Sequence, residues 1–240
     1  MINIGIITNT ADQILPFLIK EIKSISRINL YIIFAKSNKN GKTLEIFKER
    51  TGNHFADKRI KLSDFKIPIY FVPSHNSRKF YKIIKDNKIK YLYNSGTPNK
   101  INFSTLSKVK GVINIHPGIL PKYRGCTCPE WTLFNNDALG ITAHFMDENY
   151  DSGQIIRSQY IKFKKNQIKD YKDLRIRIYQ SIINLAKKIL SNIANKKVIK
   201  FREQNTENSK YYNVITKKKF NKIKIDIKRK VYKFHLKNLI

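Results

Sequence analysis

Cysteine, acidic residues, glycine and proline are all scarce in these 240 residues, and each scarcity excludes something. Two cysteines, Cys126 and Cys128, are too few and too close for a disulfide framework, so a reducing compartment is expected. A Cys-x-Cys pair without a second Cys/His cluster is a poor zinc site, and no metal is expected. No apolar run approaches the roughly 20 residues that cross a bilayer. The longest runs, such as Leu30–Ala35, are strand-length. The first residues carry neither a basic region nor a cleavage signal. These absences make a soluble, cytoplasmic protein without a membrane partner the expectation.

Seventeen acidic residues face 48 basic ones, a net charge of +31. Such a surface attracts nucleic acid, acidic membranes and phosphorylated metabolites. The same excess also follows from a coding bias towards Lys, Asn, Ile and Tyr at the expense of Gly (9) and Pro (7). Its distribution favours the second reading. Residues 196–240 hold 15 basic and three acidic side chains, whereas 111–156 hold two and five. The charge avoids the segment richest in motifs, and no nucleic-acid partner is expected.

With 41% apolar and 12% aromatic residues the chain can bury a sizeable core. Short runs of Ile, Val, Tyr and Phe at Ile2–Thr8, Leu30–Ala35, Ile67–Val72, Lys90–Tyr93 and Gly111–Ile115 read as buried strands. Between them lie helical patterns: one starting near Asp12, others at Thr43–Arg50 and Ser77–Asp86, and a short one at Asn102–Ser107. Alternating strands and helices predict an α/β fold, a mostly parallel Rossmann-like sheet covered on both faces. Residues 116–129 read as a long loop, a feature that is usually functional. Strands at Gly140–Met146 and Gln154–Lys162 and a helix near 171–195 follow. Residues 1–195 are therefore read as the domain that holds the motifs described below, which make it the catalytic one, and 196–240 as a basic C-terminal extension. In the extension, Ile223, Ile225 and Ile227 fit a strand while Phe220, Ile223 and Ile227 fit a helix.

Asn114 and His116 stand two apart at the end of a strand, so both side chains share one face. Ligands of an open parallel sheet lie beyond the carboxyl ends of its strands. Asp151 follows in a polar turn. Asn, His and Asp without a nucleophilic Ser or Cys suggest direct attack of a substrate on a carbonyl. The amide and imidazole would stabilise the oxyanion and the carboxylate would manage the proton.

The pattern Asn114-x-His116-Pro-x-x-Leu-Pro-x-Tyr-Arg-Gly125, then Gly140-x-Thr142-x-His144, then Asp151-x-Gly153-x-Ile155, resembles the core signature of the folate-dependent formyltransferases. That resemblance implies Asn114, His116 and Asp151 as the catalytic trio and N10-formyltetrahydrofolate as the formyl donor, without a metal. It implies a pterin site between Asn94, Ser95, Gly96 and Thr97 and the turn carrying Asp147 and Tyr150. The acceptor would lie across Asn9 and Thr10 and the 116–129 loop, where Tyr123 and Arg124 are candidates for a base or a phosphate. Leu120-Pro121 is a candidate cis peptide. Arg78 and Lys79 open a helix where a diphosphate could sit, or are solvated charge. His144 is either a buried hydrogen-bonding residue or a substrate contact, and Trp131 either a substrate contact or core. His54, His75 and His235 have no motif around them.

Within the family, Thr8-Asn-Thr-Ala-Asp12 replaces the phosphate loop of the glycinamide ribonucleotide enzymes. The 45 residues after 195 are short of the further β-barrel of the methionyl-tRNA enzymes. The expectation is a nucleotide-sugar N-formyltransferase.

 The acceptor would be an amino-dideoxy sugar carried on a nucleoside diphosphate, such as a dTDP-linked 4-amino-4,6-dideoxyglucose, made for surface polysaccharide or O-antigen. The alternatives are an enzyme of the methionyl-tRNA type acting on another amine, and a folate- or RNA-binding protein without activity. The resemblance also implies a homodimer.

Overall fold

The computed structural model describes residues 1–37, 40–55, 61–163, 167–205, 207 and 209–232. Strands and helices alternate as expected: β1 (Ile2–Thr8), α1 (Leu15–Ile22), β2 (Ile28–Ala35), α2 (Asn40–Thr51), β3 (Ile69–Val72), α3 (Arg78–Asp86), β4 (Tyr91–Asn94), α4 (Phe103–Leu106) and β5 (Gly111–His116). Then come β6 (Tyr123–Gly125), α5 (Cys128–Phe134), β7 (Gly140–Phe145), β8 (Ile155–Tyr160), α6 (Tyr171–Ala194), β9 (Lys210–Tyr212) and α7 (Lys217–Lys228). Seven strands form one sheet in the order β3-β2-β1-β4-β5-β7-β8. The first five are parallel, and β7 and β8 are antiparallel additions.

The strands read as continuous apolar runs because both faces of the sheet are covered. Ile4, Ile6, Ile32 and Ile113 pack under α1 and α6, while Ile7, Ile33, Leu92 and Val112 pack under α3. Each such side chain contributes about 2 kcal/mol on burial. A slip of one residue would exchange the two faces, so packing holds the register that places Asn94 beside Asn114.

Two expectations are corrected and one ambiguity is resolved. Helix α1 begins at Leu15 rather than near Asp12, because the Asp12 carboxylate stands outside the helix and accepts the Ile14 and Leu15 N–H groups. Residues 116–129 are not all loop: they contain β6 and the start of α5. The extension is helical where the pattern was ambiguous. Ile223 and Ile227, four apart, are buried, while Ile225 is 49% exposed, which a strand would not produce. The extension packs back onto the rest, through β9 beside β6 and α7 against α5. The Leu120-Pro121 peptide is cis, as the resemblance implied. His235 lies outside the described residues.

Candidate active site

The C-terminal end of β5 brings Asn114 and His116 to one face, and the turn after β7 lays Asp151 against them. The Asn114 amide is fixed at both ends. Its Oδ1 accepts from Asn94 Nδ2 at 3.1 Å and its Nδ2 lies 3.1 Å from His144 Nε2. His144 Nδ1 lies 2.8 Å from the Phe145 carbonyl, which can only accept, so the proton sits on Nδ1 and Nε2 accepts from Asn114. Burial pushes the His144 imidazole below its ordinary range, against the pull of Asp151, and keeps it in that neutral form. One N–H of the Asn114 amide is then left for an incoming oxygen.

His116 is held differently. Its Nε2 donates to the Tyr123 carbonyl at 2.8 Å, and its Nδ1 lies 3.3 Å from Asp151 Oδ1. Acceptors on both sides are matched by the doubly protonated ring. The other Asp151 oxygen accepts the Gly125 backbone N–H at 2.9 Å. Burial raises the Asp151 carboxyl, but the hydrogen bond and charge of His116, with the Gly125 N–H, outweigh it and bring it below its usual range. The ring is only 4% exposed, so it is more enclosed than Asn114.

Thr142 explains the rest of its motif. Its hydroxyl donates to the Gly118 carbonyl at 2.8 Å and accepts the Leu120 N–H at 3.1 Å, which fixes the chain between β5 and β6. Gly153 has an equally direct reason: a Cβ there would lie 1.9 Å from the Phe145 carbonyl oxygen. Gly153→Ala is expected to lower stability by about 2–3 kcal/mol through overpacking, and to displace the Asp151 turn. Urea unfolding checks this, and an unchanged midpoint would contradict it.

Residues 94–97 form one knot with the first strand-helix turn. Asn9 Nδ2 donates to the Gly96 carbonyl at 2.5 Å, and the Ser95 hydroxyl donates to Asp12 Oδ2 at 2.5 Å. Thr97 N–H bonds Asn94 Oδ1, and its hydroxyl meets His75 Nδ1 at 2.8 Å. His75, which no motif marked, donates from Nε2 to the Ile33 carbonyl and so braces this loop from beneath. Burial lowers its pKa to about 4. The unfolded chain therefore takes up the proton first, and stability is lost as pH falls from about 6.5 towards 4. Thermal melts across that window should show the loss, and His75→Gln should flatten it; identical slopes would contradict the assignment.

The binding candidates fare unevenly. Asp147 accepts the Ser152 hydroxyl and the Asn149 N–H, and orders the turn that also carries the exposed Tyr150. Tyr123 is a correction: its ring is 2% exposed, stacked on Tyr212 with its hydroxyl on Asp137, so it cannot meet a base. Arg124 bonds the Tyr150 carbonyl and the Ser209 hydroxyl with its two terminal nitrogens. Those donors are engaged within the protein instead of waiting for a phosphate. Trp131 packs on Tyr212 and donates to the Asn213 carbonyl. Arg78 and Lys79 are exposed at the start of α3, just after Asn76, which donates to the Lys100 carbonyl in the segment between β4 and β5. Thr10 is exposed in the turn after β1, next to Asn9. The described residues contain no His/Cys/Asp/Glu group suited to a metal, and none of their helices is long and apolar enough to cross a membrane.

A parallel sheet thus ends in a held amide, a carboxylate-paired imidazole and a carboxylate. Residues 103–193, which hold Asn114, His116, His144 and Asp151, match the formyl transferase family. The chain is 31% identical over 137 residues to GDP-perosamine N-formyltransferase of Brucella melitensis, over 52% of this chain and 51% of that one. It thus spans about half the length of the curated relatives it matches. The fold matches a sugar N-formyltransferase from Shewanella sp FDAARGOS_354 with TM-score 0.59 and 18% identity, over 90% of this chain and 77% of that one. It matches a phosphoribosylglycinamide formyltransferase from Anaplasma phagocytophilum with TM-score 0.61 and 15% identity, over 90% and 99%. The chain is thus similar over part of its length to N-formyltransferases, and structures named for sugar and for ribonucleotide substrates share its fold.

Proposed function

We propose that this protein transfers a formyl group from N10-formyltetrahydrofolate to the primary amine of a nucleotide-linked amino-dideoxy sugar. The observation that carries the reading is the Asn114–His116–Asp151 constellation within the stretch that matches the formyl transferase family, in a chain similar to a GDP-perosamine N-formyltransferase. The donor supplies an electrophilic formyl carbon and a folate amine as leaving group. The 94–97 loop and the Asp147–Asp151 turn flank Asn114 and fit a pterin held largely by backbone groups.

Magnitudes order the proton transfers. An alkylammonium titrates near 10.4 and a carboxylate near 3.9, so direct deprotonation by Asp151 is uphill by roughly six units, or about 9 kcal/mol. The amine therefore enters neutral. Asp151 accepts a proton only as C–N bond formation makes that nitrogen acidic, the doubly protonated His116 gives one to the folate nitrogen as the formyl–nitrogen bond breaks, and the proton on Asp151 then restores it. The free N–H of Asn114 stabilises the oxyanion, and His116 joins it by turning a donor away from the Tyr123 carbonyl.

Asp12 supports a sugar acceptor over a ribonucleotide phosphate. Its carboxylate takes the Ile14 and Leu15 N–H groups and the Thr8 and Ser95 hydroxyls, the donors a phosphate at this helix start would need. Arg78 and Lys79, exposed at the start of α3, suit the diphosphate end of an extended acceptor. A cytoplasmic homodimer serving surface-polysaccharide synthesis belongs to the same proposal. The test is release of tetrahydrofolate on adding nucleotide-linked 3-amino and 4-amino dideoxy sugars. Release that depends on the sugar supports the reading, and release without any acceptor points to hydrolysis and overturns it.

A further inference from the structure

The motif that carries Asp151 does not contain what holds it. Its backbone is left-handed, with φ 55°, a conformation Asp adopts at modest cost but not by default. The Gln204 side chain reaches this turn from the C-terminal extension. Its Nε2 donates to the Gly153 carbonyl at 2.5 Å and to the Asp151 carbonyl at 3.3 Å. Gln204 is itself anchored two residues earlier, where Arg202 and Ile155 exchange backbone hydrogen bonds of 2.9 and 2.8 Å.

A second set of contacts reaches the carboxylate. Strand β9 of the extension pairs with β6, and the Tyr212 carbonyl accepts the Cys126 N–H at 2.7 Å. Strand β6 ends at Gly125, whose N–H bonds Asp151 Oδ2. Arg124 joins the two sets, from Tyr150 O at 2.9 Å to Ser209 Oγ at 3.1 Å. Both the backbone and the carboxylate of Asp151 are thus tied to a segment some 50 residues further along the chain.

We propose that the C-terminal extension is a strap that positions Asp151 against His116, with Gln204 as its positioning residue. The kinetic part rests on the formyl-transfer reading; the geometric part does not. A donor lost at Gln204 frees the turn, and a misplacement of about 1 Å at a reacting group costs up to roughly a hundredfold in rate. Gln204→Leu keeps the bulk and removes the N–H groups, whereas Gln204→Lys retains a donor of similar reach.

The experiment measures kcat and both KM values for the full chain and the two variants, and follows the Asp151 carboxyl by 13C NMR titration. In Gln204→Leu, kcat should fall about 10- to 100-fold with KM changed less than about threefold. The Asp151 carboxyl should titrate at higher pH, because its contacts with His116 and Gly125 loosen. Gln204→Lys should keep most of the activity and the wild-type titration. An unmoved Asp151 titration in Gln204→Leu overturns the strap, whatever reaction the protein catalyses. A moved titration supports it even if no formyl transfer is found.

Discussion

Asp151→Asn is expected to lower kcat by about a thousandfold or more while donor affinity stays within a few-fold. The carboxylate does three things together that an amide cannot combine. It accepts the developing proton, it faces His116 Nδ1 at 3.3 Å as an anion, and it receives the Gly125 N–H on its second oxygen. An amide placed there turns either a neutral oxygen or an N–H towards the imidazole. The first weakens the ion pair and the second opposes it. Because burial alone would raise the Asp151 pKa, its ionised state depends on those partners. Activity should therefore be lost with acid as Asp151 is protonated, below the usual carboxylate range. Steady-state kinetics across pH, beside a donor-binding titration, read both effects; near-wild-type turnover in Asp151→Asn would remove Asp151 from the mechanism.

The second large effect is at Asn114. Asn114→Leu removes the N–H aimed at the oxyanion, and a single donor of that kind is worth about 10²–10³ in kcat. It also leaves Asn94 Nδ2 and His144 Nε2 without their partner, which costs about 1–3 kcal/mol of stability. Asn114→Asp separates shape from hydrogen bonding. It is nearly isosteric, yet it replaces the donor with an oxygen that faces the lone pair of His144 Nε2 and repels an oxyanion. Both variants should therefore be deeply impaired. If Asn114→Asp kept most of the activity, the amide would not be the oxyanion donor.

Much of this was legible in the sequence because local rules reach far enough. Period-two spacing at a strand end puts Asn114 and His116 on one face, and the alternation of apolar runs with helical patterns gives the sheet. What was not legible depends on contacts between distant residues. Tyr123 sits in a motif and looked available, but β9, nearly 90 residues later, stacks Tyr212 on it. Arg124 looked like a phosphate ligand, and its donors meet a carbonyl in the Asp151 turn and a hydroxyl in the extension. Ile223, Ile225 and Ile227 satisfied two periodicities at once, and only packing against the rest of the protein decided between them. His75 and Gln204 carry no local signal, since each acts by reaching a backbone carbonyl or loop far along the chain.

The charge reads differently with the site in view. The acidic residues of 111–156 are largely accounted for: Asp151 pairs with His116, Asp147 orders its turn, and Glu130 is buried beside Arg50, Tyr171 and Arg175. The basic excess lies elsewhere and adds a general attraction for anions, the proposed donor and acceptor among them.

One measurement tests the central claim most directly. The protein is given N10-formyltetrahydrofolate labelled in the formyl group, together with nucleotide-linked 3-amino and 4-amino dideoxy sugars, glycinamide ribonucleotide and charged initiator tRNA in a single mixture. The account predicts that the label appears in a nucleotide-linked sugar and that Asp151→Asn abolishes its transfer. Label found in the tRNA or the ribonucleotide alone would contradict it.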